Sequence, residues 1–397
     1  MSKIPESEIL PITADISDEG RLAIGGCDVR DLVEEYGSPL YISDEATLRD
    51  ICQDFVGSFT AEYEQTHIEY SSKAFANPAV SKIVEEEGLD MDVVTGGELA
   101  VAIASDFPAE RMNFHGNNKG REELSEAIQY GIGLITLDSF AEIDLLNDVA
   151  GELGVKQEVM LRLSPSIDPH THMLTSTGIL DSKFGFSIET GDAEVAVEQA
   201  IAKENLDVVG LHFHLGSPIF ELEPYSEAID YVLQFAANMR DKYGLELKRF
   251  SPGGGFAIGY VSDTLPPAMS DYAKEIAVAI RKGCDAYGLD EPILSVEPGR
   301  AIVGRAGVAR YTVGGIKTIP DVRTYVSVDG GMGDNIRPAL YESEYAVVPV
   351  DRPIATRDQT VTVAGKFCES GDVLARDVDL PSVETGELLA LPASGAY

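Results

Sequence analysis

The sequence of 397 residues predicts an α/β protein, a (β/α)8 barrel followed by a C-terminal, mostly β domain. Three observations support this fold class. Between about residues 67 and 300, short apolar runs alternate with longer stretches whose apolar residues recur at helical spacing. There are eight such runs, the number of strands that closes this kind of barrel. After residue 300, β-branched runs alternate with turn residues instead. We expect residues 1–42 to join the β domain, residues 43–302 to form the barrel and residues 303–397 to form the β domain.

Each predicted barrel strand is a short run followed by a turn or polar group. In chain order the eight are His67–Ser71, Met91–Val94, Met112–His115, Leu134–Leu137, Val159–Leu163, Val208–Phe213, Leu247–Phe250 and Ile293–Val296. The segments between them carry helix signals, and Ser139 with Glu142, for example, resembles a capping box. In the β domain, strands are predicted within Tyr311–Gly315, Thr324–Gly331 and Thr360–Gly365.

The chain is strongly acidic, with 67 acidic and 30 basic residues and a formal net charge of -37. Such a surface repels phosphate backbones and anionic lipid headgroups, so we expect no nucleic-acid partner and no membrane partner. Excess carboxylates keep a protein soluble at high salt, which suggests a halophilic enzyme. An ordinary acidic cytosolic enzyme is the simpler alternative.

The cysteines and the N-terminal residues bear on location. Cys27, Cys52, Cys284 and Cys368 are widely spaced and show no C-x-x-C pair, so neither disulfides nor a zinc or redox site is predicted. The first residues lack the apolar run of a signal peptide, and no stretch of 18 apolar residues occurs. We therefore expect a cytoplasmic protein.

Lys73 follows the first predicted barrel strand, at the end where such barrels carry their active sites. A lysine at a strand end is usually a solvated cation. The mouth of a barrel, however, can lower the pKa of an amine by desolvation and nearby charge, and a neutral amine attacks carbonyl groups. Lys73 is thus a candidate nucleophile.

The loops after strands seven and eight are candidates for phosphate binding. Gly253–Gly255 follow strand seven, and consecutive residues without side chains let backbone N–H groups converge on a phosphate. A glycine triplet is more often only a tight loop. Barrels commonly hold phosphate in these two loops, however, and Gly299 and Arg300 lie in the second.

Glu297 stands at the end of an apolar strand, where a carboxylate is costly without a cationic partner. A protonated pyridine nitrogen would be such a partner, and an ordinary ion pair with Arg300 or Arg162 is the alternative.

His212 and His214 alternate along strand six and share a face, which leaves a metal-dependent hydrolase open as a rival interpretation. With His115 they offer few converging ligands for a metal. We therefore favour stacking of His214 on a cofactor ring and a structural role for His212.

Four motifs together resemble the fold-type III pyridoxal-phosphate decarboxylases, relatives of alanine racemase, over nearly the whole chain. They are Tyr70-x-x-Lys73-Ala74, His214-Leu215-Gly216-Ser217, Gly253-Gly254-Gly255-Phe256 and Glu297-Pro298-Gly299-Arg300. Three further motifs resemble the diaminopimelate decarboxylases within that group, namely Arg337–Tyr341, Cys368–Asp372 and Gly395–Tyr397.

This resemblance implies decarboxylation of meso-2,6-diaminopimelate at its D-centre to L-lysine and carbon dioxide, the last step of lysine biosynthesis. It implies that Lys73 binds pyridoxal 5'-phosphate as a Schiff base and that Cys368 donates a proton to the reacting carbon. The other residues implied to bind the cofactor are His214, Ser217, Gly254, Gly255, Glu297, Gly299, Arg300 and Tyr397. The residues implied to bind the substrate are Arg300, Arg337, Tyr341, Glu369 and Tyr397.

The resemblance also implies a homodimer with shared active sites, in which Cys368 and Glu369 reach in from the second subunit. Family members normally continue past the tyrosine that corresponds to Tyr397. Four positions depart from the usual pattern: Ser71, where alanine is common, Pro218, Gly333, where asparagine is usual, and Lys366.

Other functions stay open at this point. A sister decarboxylase of ornithine, lysine, arginine or a carboxylated polyamine would share the cofactor residues, but Arg337 and Tyr341 favour a substrate with a second carboxylate. A racemase of the same fold would not need the Cys368–Glu369 motif. A non-catalytic, cofactor-binding or regulatory relative would not need both Lys73 and Cys368.

Overall fold

The computed structural model describes residues 4–168, 178 and 181–397. They form two units. The barrel unit comprises Cys52–Ala257 and Pro267–Gly299, and the β unit comprises Ile258–Pro266, Arg300–Tyr397 and the described part of Met1–Ile51. The domain boundaries predicted from the sequence stay predictions.

Strands occur in both units. They are β1 (Asp15–Ile16), β2 (Leu22–Ile24), β3 (Cys27–Asp28), β4 (Leu40–Ser43), β5 (Thr66–Ser71), β6 (Asp90–Val93), β7 (Met112–Phe114), β8 (Leu134–Leu137), β9 (Gln157–Ser164), β10 (Phe186–Ser187), β11 (Leu206–Phe213), β12 (Arg249–Ser251), β13 (Ile293–Val296), β14 (Gly307–Ile319), β15 (Arg323–Val328), β16 (Val348–Pro349), β17 (Gln359–Ala364), β18 (Val373–Leu380) and β19 (Leu388–Leu391).

The helices alternate with the barrel strands and are sparse elsewhere. They are α1 (Val29–Tyr36), α2 (Glu45–Glu62), α3 (Pro78–Glu86), α4 (Gly96–Ala104), α5 (Arg121–Tyr130), α6 (Phe140–Leu153), α7 (Asp192–Ile201), α8 (Glu223–Tyr243), α9 (Met269–Tyr287), α10 (Arg300–Val303) and α11 (Arg337–Tyr341). Within the described ranges, none of them combines the length and the apolar character needed to cross a membrane.

The barrel unit contains a closed parallel sheet of eight strands, which confirms the predicted fold. Their order is β5, β6, β7, β8, β9, β11, β12 and β13, and β13 pairs back onto β5, with Leu294 opposite Thr66. All eight strands predicted from the sequence overlap these. The strands are apolar on both faces because helices cover the outside and side chains fill the inside. Polar residues such as Asp92 and His212, buried in strands β6 and β11, are therefore exceptions with a specific cause.

Helix α6 begins where the sequence predicts, but its capping differs in detail. The Ser139 side chain accepts a hydrogen bond from the backbone N–H of Glu142, as an N-cap residue does. The Glu142 carboxylate accepts from the backbone N–H of Asp138 (2.8 Å), one residue before the partner in a capping box. Glu142 also ion-pairs with the buried Lys119 (2.6 Å). The glutamate is therefore positioned by a buried cation as well as by the helix end.

The β unit is built around the long strand β14. The sheet order is β16, β19, β14, β15, β17 and β18, and β4 pairs antiparallel with β14, with Ile42 opposite Val308. Strands β1 to β3 form a separate small sheet. Buried valines and leucines from β14, β15, β17 and β19 form a core against the larger sheet. The mostly β domain predicted after the barrel is thus present.

Candidate active site

Lys73 lies just past the carboxyl end of β5, in a short 3-10 turn, Ser72–Ala74. Its Nζ is 3.2 Å from Oδ2 of Asp92 on the neighbouring strand β6 and 3.3 Å from Oγ of Ser71. The Asp92 side chain is fully buried, whereas 42% of the Lys73 side chain is exposed. The predicted nucleophile therefore lies at the predicted end of the barrel. It forms an ion pair with Asp92, in which the lysine side chain is partly exposed and the aspartate is buried.

Asp92 is a site residue that sequence reasoning missed. Burial disfavours its charged form, but the Lys73 ammonium and the hydrogen bonds from Ser71 and Lys73 outweigh this and keep the pKa of Asp92 below its usual range. The only signal in the sequence is an aspartate between Met91 and Val93, inside an apolar strand. A buried carboxylate beside a lysine can position the amine and exchange a proton with it.

Glu297 is held by polar side chains from other barrel strands. Ser251 Oγ donates to its Oε1 (2.6 Å), His212 Nε2 lies 3.0 Å from its Oε2, and His115 Nε2 lies 3.6 Å from its Oε1. Burial raises the pKa of Glu297, lowers the pKa of His115 to about 4 and lowers that of His212 well below its ordinary value. In the described residues Glu297 makes no ion pair with Arg162, which instead faces Asp138 at 3.8 Å.

This group of side chains bears on the rival metal interpretation. Possible ligand atoms of His115, His212 and Glu297 all lie within 4.8 Å of one another. His214 is not among them. A metal hydrolase would use all three as ligands, whereas a pyridine cofactor would use only the carboxylate, which is already oriented by Ser251 and His212.

The glycine loop after β12 brings backbone close to other backbone. Gly253 and Gly255 have φ values of 76° and 109°, where side chains other than glycine are strained. A Cβ atom on Gly254 would lie 2.1 Å from the carbonyl oxygen of Glu297, and one on Gly255 would lie 2.5 Å from that of Gly216. The fold therefore requires glycine at these positions for close backbone packing, whether or not the loop also binds a phosphate.

The loop that carries His214 and Ser217 is joined to this glycine loop. The N–H of Gly254 donates to Nδ1 of His214 (3.2 Å), and the N–H of Ile219 donates to the carbonyl of Gly255 (2.8 Å). Burial lowers the pKa of His214 well below its ordinary value, so its imidazole is neutral at physiological pH. Ser217, two residues before Ile219, is thereby kept at the same end of the barrel as Gly255.

Together, these barrel residues fit pyridoxal 5'-phosphate. We name Lys73, Asp92, His214, Gly254 and Glu297 the barrel cluster. It offers an amine for an aldehyde, a buried carboxylate for a pyridinium and a neutral ring for stacking. Gly299 belongs beside it, because a Cβ atom there would lie 3.0 Å from that of Ser71.

In the β unit, two buried arginines lie against tyrosine rings. We name Arg300, Arg337, Tyr260, Tyr341 and Tyr397 the arginine cluster. Arg300 donates to the Tyr260 hydroxyl (2.6 Å) and lies 4.8 Å from the Tyr397 ring centroid. Arg337 lies 5.2 Å from the ring centroid of Tyr260 and 5.3 Å from that of Tyr341. The structure thus brings together four predicted substrate residues and adds Tyr260, which sequence reasoning missed.

Arg337 retains hydrogen-bonding capacity. Its Nη2 donates to Ser343 Oγ (3.1 Å). Among the described residues, its Nε has no hydrogen-bond partner and no carboxylate forms an ion pair with it. A buried guanidinium that lacks an anion is costly, and a carboxylate ligand would complete it with charge-assisted hydrogen bonds. Arg337 is therefore suited to bind a carboxylate.

Cys368 and Glu369 lie on an exposed loop rather than in the arginine cluster. The carboxylate of Asp372 shapes this loop, because it accepts from the backbone N–H groups of Met332 (2.6 Å) and Phe367 (2.8 Å). Glu369 hydrogen-bonds to Ser370 and Gly371 within the loop. Among the described contacts within one chain, none joins Cys368, the predicted proton donor, or Glu369, a predicted substrate residue, to the arginine cluster.

Comparison with known proteins gives a consistent result. The model of the pyridoxal binding domain of pyridoxal-dependent decarboxylases matches residues 48–304. The chain is 45% identical over 381 residues to diaminopimelate decarboxylase from Bacillus subtilis strain 168. The aligned region covers 96% of this chain and 87% of that protein.

Solved structures agree with this match. Diaminopimelate decarboxylase from M. jannaschii in complex with L-lysine superimposes with a TM-score of 0.90 and 35% identity, over 98% of this chain and 88% of that one. A lysine/ornithine decarboxylase from Vibrio vulnificus, complexed with putrescine, has a TM-score of 0.77 but only 22% identity, over 93% of this chain and 92% of that one. The second likeness shows the fold alone.

Proposed function

We infer the activity from one premise: this chain belongs to the diaminopimelate decarboxylases, a family of pyridoxal-dependent carboxy-lyases. It decarboxylates meso-2,6-diaminopimelate to L-lysine and carbon dioxide, the last step of lysine biosynthesis, with pyridoxal 5'-phosphate as its cofactor. The observation that carries this conclusion from the structure is the Lys73–Asp92 pair at the mouth of the barrel that also buries Glu297. When bound, the cofactor supplies an electron sink for the pair left by the departing carboxylate.

We assign the barrel cluster to the cofactor. Lys73 holds it through its amine, and Asp92 takes part in the proton exchange that makes this amine nucleophilic. Glu297 keeps a pyridine nitrogen protonated, since a buried carboxylate with a raised pKa is stabilised by a cation. His214 stacks on the ring. Backbone groups of Gly254, Gly255 and Gly299 hold the phosphate with Ser217, Arg300 and Tyr397.

We assign the arginine cluster to the distal end of the substrate. Arg300, Arg337 and Tyr341, with Tyr397, bind the distal carboxylate, and Glu369 binds the distal ammonium. The Nε of Arg337, which lacks a hydrogen-bond partner among the described residues, supports this assignment, because a substrate carboxylate would supply an anion to this buried group. A substrate ending in a bare cation would meet two arginines, which disfavours ornithine, lysine and arginine.

We further propose that the active enzyme is a homodimer in which Cys368 and Glu369 complete the active site of the other subunit. The exposure of both residues, on a loop that is already ordered by Asp372, supports this arrangement. The Cys368 thiol then delivers a proton to the carbon that has lost its carboxylate.

We propose a cytoplasmic, salt-tolerant protein without nucleic-acid or membrane partners. Among the described residues, Cys27, Cys284 and Cys368 form no disulfide, as a reducing compartment would keep them. The excess of 67 acidic over 30 basic residues supports tolerance of salt, because screening relieves the repulsion among carboxylates. The unfolding temperature should rise between dilute buffer and molar KCl, and a fall would argue against a salt-adapted surface.

The substrate is tested by carbon dioxide release from meso-diaminopimelate, lysine, ornithine and arginine, each with pyridoxal phosphate present. We expect release from meso-diaminopimelate alone. Preference for any of the monocarboxylate amino acids would contradict the assignment and favour a sister decarboxylase. Cofactor absorbance without any release would indicate a non-catalytic relative.

A further inference from the structure

Ser71 contacts both members of the ion pair that prepares the active-site amine. Its Oγ accepts a hydrogen bond from Lys73 Nζ (3.3 Å) and donates to Asp92 Oδ2 (2.7 Å). The hydroxyl also lies 3.3 Å from the carbonyl oxygen of Glu297, a longer contact that competes less well for its single proton. Ser71 is only 2% exposed, so water does not replace these bonds readily.

Asp92 depends on few donors. Its side chain is 0% exposed, and its Oδ1 has no hydrogen-bond partner within residues 4–168, 178 and 181–397. In the described residues, only Lys73 and Ser71 donate to its Oδ2. A buried carboxylate with so few partners is sensitive to the loss of either one.

Attachment of the cofactor would leave Lys73 with fewer protons to donate. An ammonium carries three protons and can donate to Ser71 and Asp92 at once, whereas a lysine nitrogen bonded to the cofactor's carbon carries at most one. Ser71 does not change its chemistry when Lys73 does. Its hydroxyl is therefore the donor that stays with Asp92 while the lysine is engaged.

The adjacent Ser72 provides an internal comparison. It is also buried, at 3% exposure, but its Oγ donates to Glu98 Oε1 (2.8 Å). The two serines thus have the same side chain and similar burial, and only Ser71 hydrogen-bonds to Lys73 and Asp92.

We propose that Ser71 is a positioning residue that holds Asp92 and the Lys73 amine in register during cofactor attachment and turnover. This proposal deepens the proposed function and rests on it. Ser71 touches neither substrate nor cofactor in this role and acts through Lys73 and Asp92.

Ser71→Ala, Ser71→Thr and Ser72→Ala are compared as holoenzymes, by the dissociation constant of pyridoxal phosphate from its bound absorbance and by kcat and KM for meso-diaminopimelate. Ser71→Ala loses one hydrogen bond to a charged group. We therefore expect kcat to fall about tenfold and the dissociation constant of pyridoxal phosphate to rise about tenfold, while KM stays within about twofold of the wild type. Ser71→Thr keeps the hydroxyl and restores most of both values. Ser72→Ala leaves both unchanged.

The outcomes separate this proposal from the proposed function. Equal losses in Ser71→Ala and Ser72→Ala, or no loss of cofactor affinity in Ser71→Ala, would overturn the role of Ser71. A wild-type protein that binds the cofactor but releases no carbon dioxide from meso-diaminopimelate would overturn the proposed function. In that case the affinity measurements would still decide the role of Ser71.

Discussion

The barrel cluster and the arginine cluster hold their buried charges in opposite ways. In the barrel cluster, both oxygens of Glu297 are held by Ser251 and His212, and Lys73 lies on Asp92. In the arginine cluster, guanidinium groups lie over tyrosine rings, and the Nε of Arg337 has no hydrogen-bond partner in the part of the chain that the structure describes. A site for a resident cofactor is served by groups that are already fixed. A site for a substrate that must enter and leave is served by groups that gain a partner only when it binds.

The largest effect should come from breaking the barrel cluster at its amine. Lys73→Ala removes the nucleophile, so carbon dioxide release falls by at least about a thousandfold and the absorbance of covalently held cofactor disappears. The control is Lys82→Ala, which removes a surface lysine paired with Glu85. Retention of a borohydride-reducible chromophore in Lys73→Ala would show that another amine holds the cofactor.

The second-largest effect should come from Cys368, and it tests whether this residue completes the active site of a second chain. Cys368→Ala should lower kcat by about a hundredfold, because general-acid catalysis is lost. If the sites are shared, co-refolding equal amounts of Cys368→Ala and Lys73→Ala creates heterodimers with one intact site. Half of the dimers are heterodimers and half of their sites are intact, so about a quarter of wild-type activity should return. No recovery from the mixture would place Cys368 and Lys73 of one chain in the same site.

Arg337 belongs to the arginine cluster and is assigned to the substrate alone, so its loss should weaken substrate binding and leave cofactor binding intact. Arg337→Met removes the charge-assisted bonds to a carboxylate, so kcat/KM for meso-diaminopimelate falls by about fiftyfold. Cofactor absorbance and affinity stay at the wild-type level. Arg352→Met, at an exposed pair with Glu387, is the matched control. Weakened cofactor binding in Arg337→Met would contradict the assignment of Arg337 to the substrate alone.

The smallest effect concerns the cost of burying carboxylates in the barrel. Burial, followed by the nearby charge of Glu297, raises the pKa of Glu69 from 4.5 to about 8. The unfolded chain therefore loses this proton first as pH rises, so Glu69 lowers stability progressively between pH 4.5 and 8.

Glu69→Gln should remove this cost while it keeps a partner for Asn113, which now donates to Glu69 Oε2 (3.1 Å). Its free energy of unfolding should exceed that of the wild type by about 2 kcal/mol at pH 6 and by more at higher pH, and the gain should vanish below pH 4.5. Glu158→Gln, at an exposed position of β9, is the matched control, and its free energy of unfolding should stay within about 0.5 kcal/mol of the wild type. A pH-independent gain in Glu69→Gln would point to packing instead of ionisation.

The barrel could be predicted from the sequence because its strands are contiguous apolar runs that end in unusual groups. Lys73, Glu297 and the Gly253–Gly255 loop stand at those ends, and local sequence is enough to select them. The distal residues Arg337 and Cys368 were selected by resemblance alone, since nothing in their local pattern indicates a site.

The residues that were missed owe their roles to register between strands. Asp92 meets Lys73 because β5 and β6 pair with Ser71 opposite Asp92, and Ser251 meets Glu297 across neighbouring strands. Tyr260 joins Arg300 and Arg337 from 40 and 77 positions away in the sequence. Such contacts depend on the closed fold, so no spacing rule in a single sequence reveals them.

The carboxylate of Asp372 has a consequence for assembly. Its two oxygens bind backbone N–H groups from Met332 and Phe367, so the segment that carries Cys368 and Glu369 is ordered in the single chain. The conformational entropy of that segment is lost on folding, and little of it remains to oppose association. In the proposed dimer, subunit affinity would then be set by surface complementarity and charge screening, and it would tighten with ionic strength in a chain this acidic.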